Sequence, residues 1–138
     1  MDRVLVDTGF LVALGRANDS LHAKADAFLK RFRGGLYTVS AVIGETCFHM
    51  DVRGKSALLD WAHRGSLAVV EVPVAAYPDL AATMEKYSDR NREIDFADAA
   101  MLWLAEESRI RQILTVDRRD FSAFRLRTGK RFELIEWF

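Results

Sequence analysis

Short apolar runs alternate along this chain with longer segments in which apolar residues recur every three or four positions. The short runs are rich in valine, leucine and isoleucine and end at turn-forming or acidic residues, which is typical of buried strands. They predict strands over 3–6, 36–39, 67–72 and 112–116, and a short fifth strand at an edge over 132–135. The longer segments are interpreted as helices, so the two kinds of element alternate.

Capping residues and glycines bound the predicted helices. Asp19-Ser20 is placed at the start of a helix that ends at Gly34-Gly35, and Ser40 as the N-cap of a helix that ends near Gly54. Further helices are expected over 55–63, 76–87 and 95–108, and a polar loop over 88–93. Strands alternating with helices indicate a parallel sheet with helices on both faces. We therefore expect one α/β domain over 1–138, with three layers and a central, mostly parallel sheet of four to five strands.

Composition is that of an ordinary globular protein and excludes several other classes. Half of the 138 residues are hydrophobic, 29% are charged, and the apolar runs are shorter than the roughly 18 residues of a membrane span. Asp2 and Asp7 interrupt the first apolar run, which therefore lacks the pattern of a signal peptide. A single cysteine, Cys47, excludes an internal disulfide and fits a reducing cytosol. We expect a cytoplasmic protein with no membrane partner.

The overall charge gives no sign of a nucleic-acid partner, because 20 basic and 20 acidic residues leave a formal net charge of zero. Residues 118–131 are locally basic, with six arginines and lysines against Asp120 alone. A cluster of this kind is common on solvated surfaces. Any partner must therefore be inferred from a site.

Two carboxylates in an otherwise apolar helix give the first indication of a site. Residues 94–104 read IDFADAAMLWL, and the spacing of Asp95 and Asp98 places both carboxylates on one face of the predicted helix. Burying an unpaired carboxylate costs several kcal/mol, so such residues are rarely buried without a role. Asp95 is interpreted as an N-cap or as support for a site, whereas the neighbours of Asp98 are core residues.

Four acids are predicted to meet at one edge of the sheet. Asp7 and Asp117 end the first and fourth predicted strands, and ligands bind at the carboxyl ends of parallel strands where the strand order reverses. Glu45 and Asp98 lie near the N-terminal ends of helices that reach the same edge. Because carboxylates in one pocket repel each other, they need a cation, and all-oxygen ligands favour Mg²⁺ or Mn²⁺. Such a site is suited to phosphodiester hydrolysis.

Each acid also has a purely structural interpretation. Asp7 and Asp117 both fit turns after strands, and Asp95 fits a helix cap. Glu45 and His49 have the helical spacing of a metal-ligand pair, but His49 is preferred as a surface or core-edge histidine. One shared site explains all four acids together, which separate structural roles do not.

Two other functions remain open at this stage. An aspartyl-phosphate phosphotransfer domain fits the length and the α/β pattern, although Gly9 stands where the phosphatases of that kind carry a second aspartate. A non-catalytic metal-binding interaction module would use apolar helix faces, for which 21–32 and 55–63 are candidates.

Four acidic motifs follow one another along the chain, in the order VDTGFLVAL, VSAVIGETCF, DFADAAMLWLAEE and ILTVDRRDF. Together they resemble the four acidic motifs of PIN-domain nucleases, and most of all those of VapC-type toxins of bacterial toxin–antitoxin pairs. The resemblance covers nearly the whole chain. It implies a PIN-like fold and an endoribonuclease that depends on Mg²⁺ or Mn²⁺ and cleaves tRNA, rRNA or mRNA. It also implies a homodimer that a small antitoxin protein inhibits.

The resemblance also assigns roles to residues. Its metal-binding, catalytic acids match Asp7, Glu45, Asp98 and Asp117. Thr8 matches a small hydroxyl residue that supports the site and Asp120 an acid found in some members, while Asp95 has no fixed counterpart. Basic groups at the rim are expected to position RNA; the candidates are Arg90, Arg92, Arg118 and Arg119.

Overall fold

Five parallel strands form the centre of the computed structural model, which describes residues 2–138; Met1, the first residue of the predicted domain, lies outside the described residues. The strands are β1 (Arg3–Val6), β2 (Gly35–Val39), β3 (Ala68–Val70), β4 (Gln112–Leu114) and β5 (Glu133–Leu134). Their order is β3-β2-β1-β4-β5, and every pairing is parallel. The chain moves outward from β1 to β3 and then returns to the other side of β1, so the order reverses between β1 and β4.

Helices connect the strands and flank the sheet, as the alternating pattern predicts. They are α1 (Thr8–Gly15), α2 (His22–Arg31), α3 (Ser40–Phe48), α4 (Val52–His63), α5 (Tyr77–Tyr87), α6 (Phe96–Ser108) and α7 (Arg118–Ala123), with a 3₁₀ turn at Val74–Ala76. The core lies between sheet and helices, and its largest fully buried side chains include Phe10, Phe121 and Phe124. Within residues 2–138, no helix combines the length and apolarity needed to cross a bilayer.

Two helices were not predicted from the sequence. α1 follows Asp7 directly, at a place where the sequence favours a turn. Its apolar residues are consecutive and mostly buried, so no alternation of polar and apolar positions marks it as a helix. α7 begins at Arg118, after an N-cap at Asp117, in a segment that carries no predicted element.

The second predicted helix is wrong in its boundaries. It divides into α3, which ends at Phe48, and α4, whose N-cap is Asp51. The Asp51 carboxylate accepts a 2.8 Å hydrogen bond from the Gly54 backbone amide, so Gly54 lies in the first turn of α4 and does not end a helix. Ser40 is the first residue of α3 and not its N-cap; its hydroxyl donates to Glu71 at 2.9 Å.

Candidate active site

Asp7 lies directly after the central strand, at the point where the strand order reverses. The residue is 6% exposed, and its Oδ2 atom accepts a 2.9 Å hydrogen bond from the Thr115 hydroxyl. The same Thr115 oxygen accepts a 2.9 Å bond from the Asp117 backbone amide. Burial raises the pKa of Asp7 to about 6, with smaller contributions from the negative charges of Glu45 and Asp117. This network ties the ends of β1 and β4 together.

Asp98 and Asp95 share the N-terminal turn of α6. Asp95 occupies the N-cap, where its carboxylate accepts a 2.9 Å hydrogen bond from the Asp98 backbone amide, as the capping interpretation of Asp95 requires. The side chain of Asp98 is half-buried. Its burial, followed by the charges of Asp95 and Asp7, raises the pKa of Asp98 to about 8. The helix therefore directs one carboxylate toward Asp7 and uses the other as a cap.

Glu45 approaches the same place from α3. Its side chain is half-buried, and this burial raises the pKa of its carboxyl, with a further contribution from the charge of Asp95. The Thr8 hydroxyl and the charge of the His49 ring lower the pKa of Glu45 by a smaller amount. Thr8, at the start of α1, and His49, directly after the end of α3, thus lie beside Glu45.

Asp117 and Asp120 form the N-terminal turn of α7. Asp117 accepts a 3.1 Å hydrogen bond from the Asp120 backbone amide, and Asp120 is buried in an ion pair with Arg92. Burial, followed by the hydrogen bond and the negative charge of Asp117, raises the pKa of Asp120 to about 6. The positive charges of Arg92 and Arg119 partly oppose this rise. Carboxylate oxygens of Asp98, Asp117 and Asp120 all lie within 4.8 Å of one another.

These elements enclose a cavity of about 500 Å³ that opens at the carboxyl ends of β1 and β4. The predicted residues that line it are Asp7, Thr8, Glu45, Asp95, Asp98 and Asp117. The four predicted metal-binding residues are all acids, and burial raises the pKa of Asp7, Glu45 and Asp98. A cation would relieve both the repulsion between the carboxylates and the cost of burying them. This donor set fits a hard divalent cation such as Mg²⁺ or Mn²⁺.

Some residues of the site were not found from the sequence. Thr115 holds Asp7, and the signal that could have found it is a threonine at the end of a strand, two residues before Asp117. Asp19, interpreted only as a helix start, also lines the cavity. Its carboxylate accepts a 2.9 Å bond from the Leu21 backbone amide.

The four predicted rim arginines differ in their contacts and in their exposure. Arg92 contacts Asp120, and its side chain is only 25% exposed, so it does not project freely toward solvent. Arg118 lies 4.4 Å over the Phe138 ring and donates to the Phe138 carbonyl at 3.4 Å. Arg90 and Arg119 are exposed, Arg90 in the polar loop and Arg119 in the first turn of α7.

Comparison with known proteins identifies the family. The sequence profile described as PIN domain matches residues 4–125, a range that contains Asp7, Glu45, Asp98 and Asp117. The chain belongs to the PIN-domain family. This PIN domain is also 31% identical over 136 residues to ribonuclease VapC26 of Mycobacterium tuberculosis, with 96% of this chain and 99% of that protein covered. The resemblance found in the four acidic motifs is therefore confirmed.

Solved structures share the fold. The Mycobacterium tuberculosis toxin VapC20, described as cleaving the sarcin–ricin loop, superposes with a TM-score of 0.75 at 22% identity over 85% of this chain and 92% of its own. A toxin–antitoxin complex from Klebsiella pneumoniae gives a TM-score of 0.67 at 15% identity over 98% of both chains. The predicted three-layer PIN-like α/β fold is confirmed.

Proposed function

We propose that this PIN domain is an endoribonuclease that requires Mg²⁺ or Mn²⁺ and acts as the toxin of a type II toxin–antitoxin pair. The observation that carries the proposal is the meeting of Asp7, Glu45, Asp98 and Asp117 in one cavity at the reversal of strand order. Membership of the PIN family and the likeness to a ribonuclease support RNA as the substrate.

The four acids would hold one or two divalent cations. A bound cation supplies Lewis acidity, which stabilises negative charge on the scissile phosphate and promotes ionisation of the attacking water. The protein keeps the carboxylates in place: Thr115 orients Asp7, and the α6 backbone fixes Asp98 through the Asp95 cap. Asp120 is held by Arg92 next to Asp98 and Asp117, which makes it a support of the cluster.

RNA would be positioned by exposed cations around an otherwise negative cavity. Arg90 and Arg119 are exposed and suited to contact phosphates, and Arg118 borders the same helix start. Arg92 can contribute only through the part of its guanidinium that Asp120 leaves exposed. Binding through such contacts weakens as the salt concentration rises.

An antitoxin protein and a second copy of the chain are the proposed partners. The Klebsiella pneumoniae neighbour is a toxin–antitoxin complex, which supports an antitoxin. An apolar cavity of about 280 Å³ between α1, α2 and α4 offers a surface for it, lined by Leu14, Leu29, Leu58 and Trp61. We propose a cytoplasmic protein in which residues 1–138 form one domain; the single cysteine fits this location.

Cleavage of end-labelled total RNA, with tRNA included, tests the function. The purified protein is incubated with Mn²⁺ or Mg²⁺, and separately with EDTA. We expect discrete products that disappear with EDTA and with Asp98→Asn. Asp60→Asn is the matched control, because Asp60 is an exposed acid on α4 whose ion-pair partner within residues 2–138 is Arg64. Products that persist in EDTA would contradict the proposal.

A further inference from the structure

Phe48 is the most exposed large apolar side chain among the described residues, with 86% of its surface accessible. It lies on α3, three residues after Glu45, and therefore close to the helix face that carries this acid. Its ring packs edge-on against His49, with ring centroids 5.7 Å apart. An aromatic ring left in solvent beside the acidic cavity needs an explanation other than packing.

The surface around Phe48 continues from the acidic cavity. A second cavity of about 860 Å³ is lined by Phe48, Arg16, Asn18 and Arg53, among others. His49 lines both cavities, and the chain between α1 and α2 borders both. A ligand strand leaving the carboxylates past His49 would therefore enter this second cavity.

The charge of the second cavity is opposite to that of the first. The guanidinium groups of Arg16 and Arg53 form no ion pair and no hydrogen bond with any residue of 2–138. Asp51 is the acid among the described lining residues, and its carboxylate already caps α4 through the Gly54 amide. Two cations without an ion pair among the described residues, beside an exposed aromatic ring, form a surface suited to a polyanion with flat, apolar bases.

We propose that Phe48, Arg16 and Arg53 bind an unpaired stretch of the RNA substrate next to the acidic cavity, with one base stacked on Phe48 and phosphates contacting the two arginines. The inference rests on the proposed function and adds to it a surface that holds the substrate beside the acidic cavity. The strand must be unpaired because only an unstacked base can present its face to the ring.

Binding of a short fluorescent single-stranded RNA, followed by anisotropy in EDTA, tests the inference without cleavage. The full chain carrying Asp98→Asn is the common background. We expect Phe48→Ala and Phe48→Leu to weaken binding roughly ten-fold, and Phe48→Tyr and Phe48→Trp to retain it, because stacking needs an aromatic ring and not apolar bulk. Annealing the RNA to its complement should abolish the difference between these variants.

The arginines are tested by the salt dependence of the same binding. The double change Arg16→Ala and Arg53→Ala should reduce the slope of log K against log salt by about 1.4, since each phosphate contact contributes about 0.7 on a single strand. Leu59→Ala and Arg131→Ala are the controls, because both residues are exposed and lie outside the two cavities. Both should bind like the background.

The inference is overturned if Phe48→Ala and Phe48→Tyr bind the single-stranded RNA with equal affinity. It is also overturned if Phe48→Ala loses as much affinity for duplex RNA as for single-stranded RNA. The proposed function fails separately, if unmodified protein cleaves no RNA with Mn²⁺. RNA binding that depends on the Phe48 ring would then support the inference while the nuclease proposal is lost. Cleavage of RNA by the unmodified protein, with no effect of the Phe48 ring on RNA binding, would support the nuclease proposal and overturn the inference.

Discussion

The Thr115 hydroxyl donates a 2.9 Å hydrogen bond to Asp7 Oδ2, although the two residues lie 108 positions apart in the chain. Thr115 is itself fixed, because the Trp137 indole donates to its carbonyl at 3.2 Å. The buried carboxylate that follows β1 is therefore oriented by a residue that directly follows β4. The acidic cavity depends on the register between β1 and β4.

Thr115→Val should impair the site without changing the fold. The change removes the hydroxyl and keeps the shape, so a buried carboxylate loses its donor, which costs about 1–3 kcal/mol. Loss of a hydrogen bond that orients a metal-binding carboxylate typically weakens metal affinity by roughly 10- to 100-fold. Calorimetric titration with Mn²⁺ measures the affinity, and Thr115→Ser, which keeps the hydroxyl, should bind like the unmodified protein. Equal Mn²⁺ affinity in the valine variant would contradict the role of Thr115.

The stability of the metal-free protein should fall as the pH rises. The pKa of Asp7, raised to about 6, and that of Asp98, raised to about 8, lie above the value of about 3.9 for an unfolded aspartate. Between pH 4 and 8 the folded state therefore binds more protons than the unfolded state, so the free energy of unfolding decreases with pH. Asp7 alone should contribute roughly 1–2 kcal/mol between pH 5 and pH 8.

Urea denaturation in EDTA at several pH values measures this slope. Asp98→Asn should give a shallower slope and a more stable protein near pH 8, since it removes a charge that the fold disfavours. Asp60→Asn should leave the slope unchanged. A metal-free protein that gains stability from pH 5 to pH 8 would contradict the electrostatic account of the cavity.

Arg92→Ala should destabilise the protein by leaving Asp120 buried without its partner. The Asp120 side chain is only 6% exposed, and truncating one partner of a buried ion pair costs about 3 kcal/mol. Adding Asp120→Asn should recover most of the loss, because no charge then remains unpaired. Thermal unfolding of the single and double variants measures the coupling. Additive effects would show that the two residues act independently.

Gly9→Ala should disturb the contact between the start of α1 and the loop after β4. A Cβ atom on Gly9 would lie 2.3 Å from Cγ2 and 3.1 Å from Cβ of Val116, so the Val116 side chain or one of the two segments would have to shift. Overpacking of this kind costs about 1–3 kcal/mol. Val116→Ala in the same chain should recover part of the stability and of the Mn²⁺ affinity. Full stability of the single variant would show that the loop shifts freely.

Local patterns account for what the sequence predicts of this fold. The RVLV run predicts β1 because a short run of valine and leucine is typical of a buried strand. Asp7, the acid that follows this run, then marks one side of the cavity. The IDFADAA segment likewise identifies α6 and the cap at Asp95. Asp7 and Asp117 meet because parallel strands end at one edge, and α3 and α6 bring Glu45 and Asp98 to the same edge.

The remaining features depend on contacts that no local pattern encodes. α1 is buried on most of its surface, so its sequence lacks the polar face that marks a helix. The pairing of Arg92 with Asp120 joins a loop to a helix that was not predicted, so no pattern in the sequence indicates that Arg92 contacts this acid. Thr115 reaches Asp7 only once β1 and β4 pair.

The most direct test of the central claim is the Mn²⁺ dependence of the RNA cleavage rate, measured together with Mn²⁺ binding on the same preparation. We expect the two half-maximal concentrations to coincide, and Asp98→Asn to weaken binding and abolish cleavage while Asp60→Asn changes neither. Undiminished cleavage in EDTA or in the Asp98→Asn variant would contradict the claim that these carboxylates form a metal-dependent nuclease site.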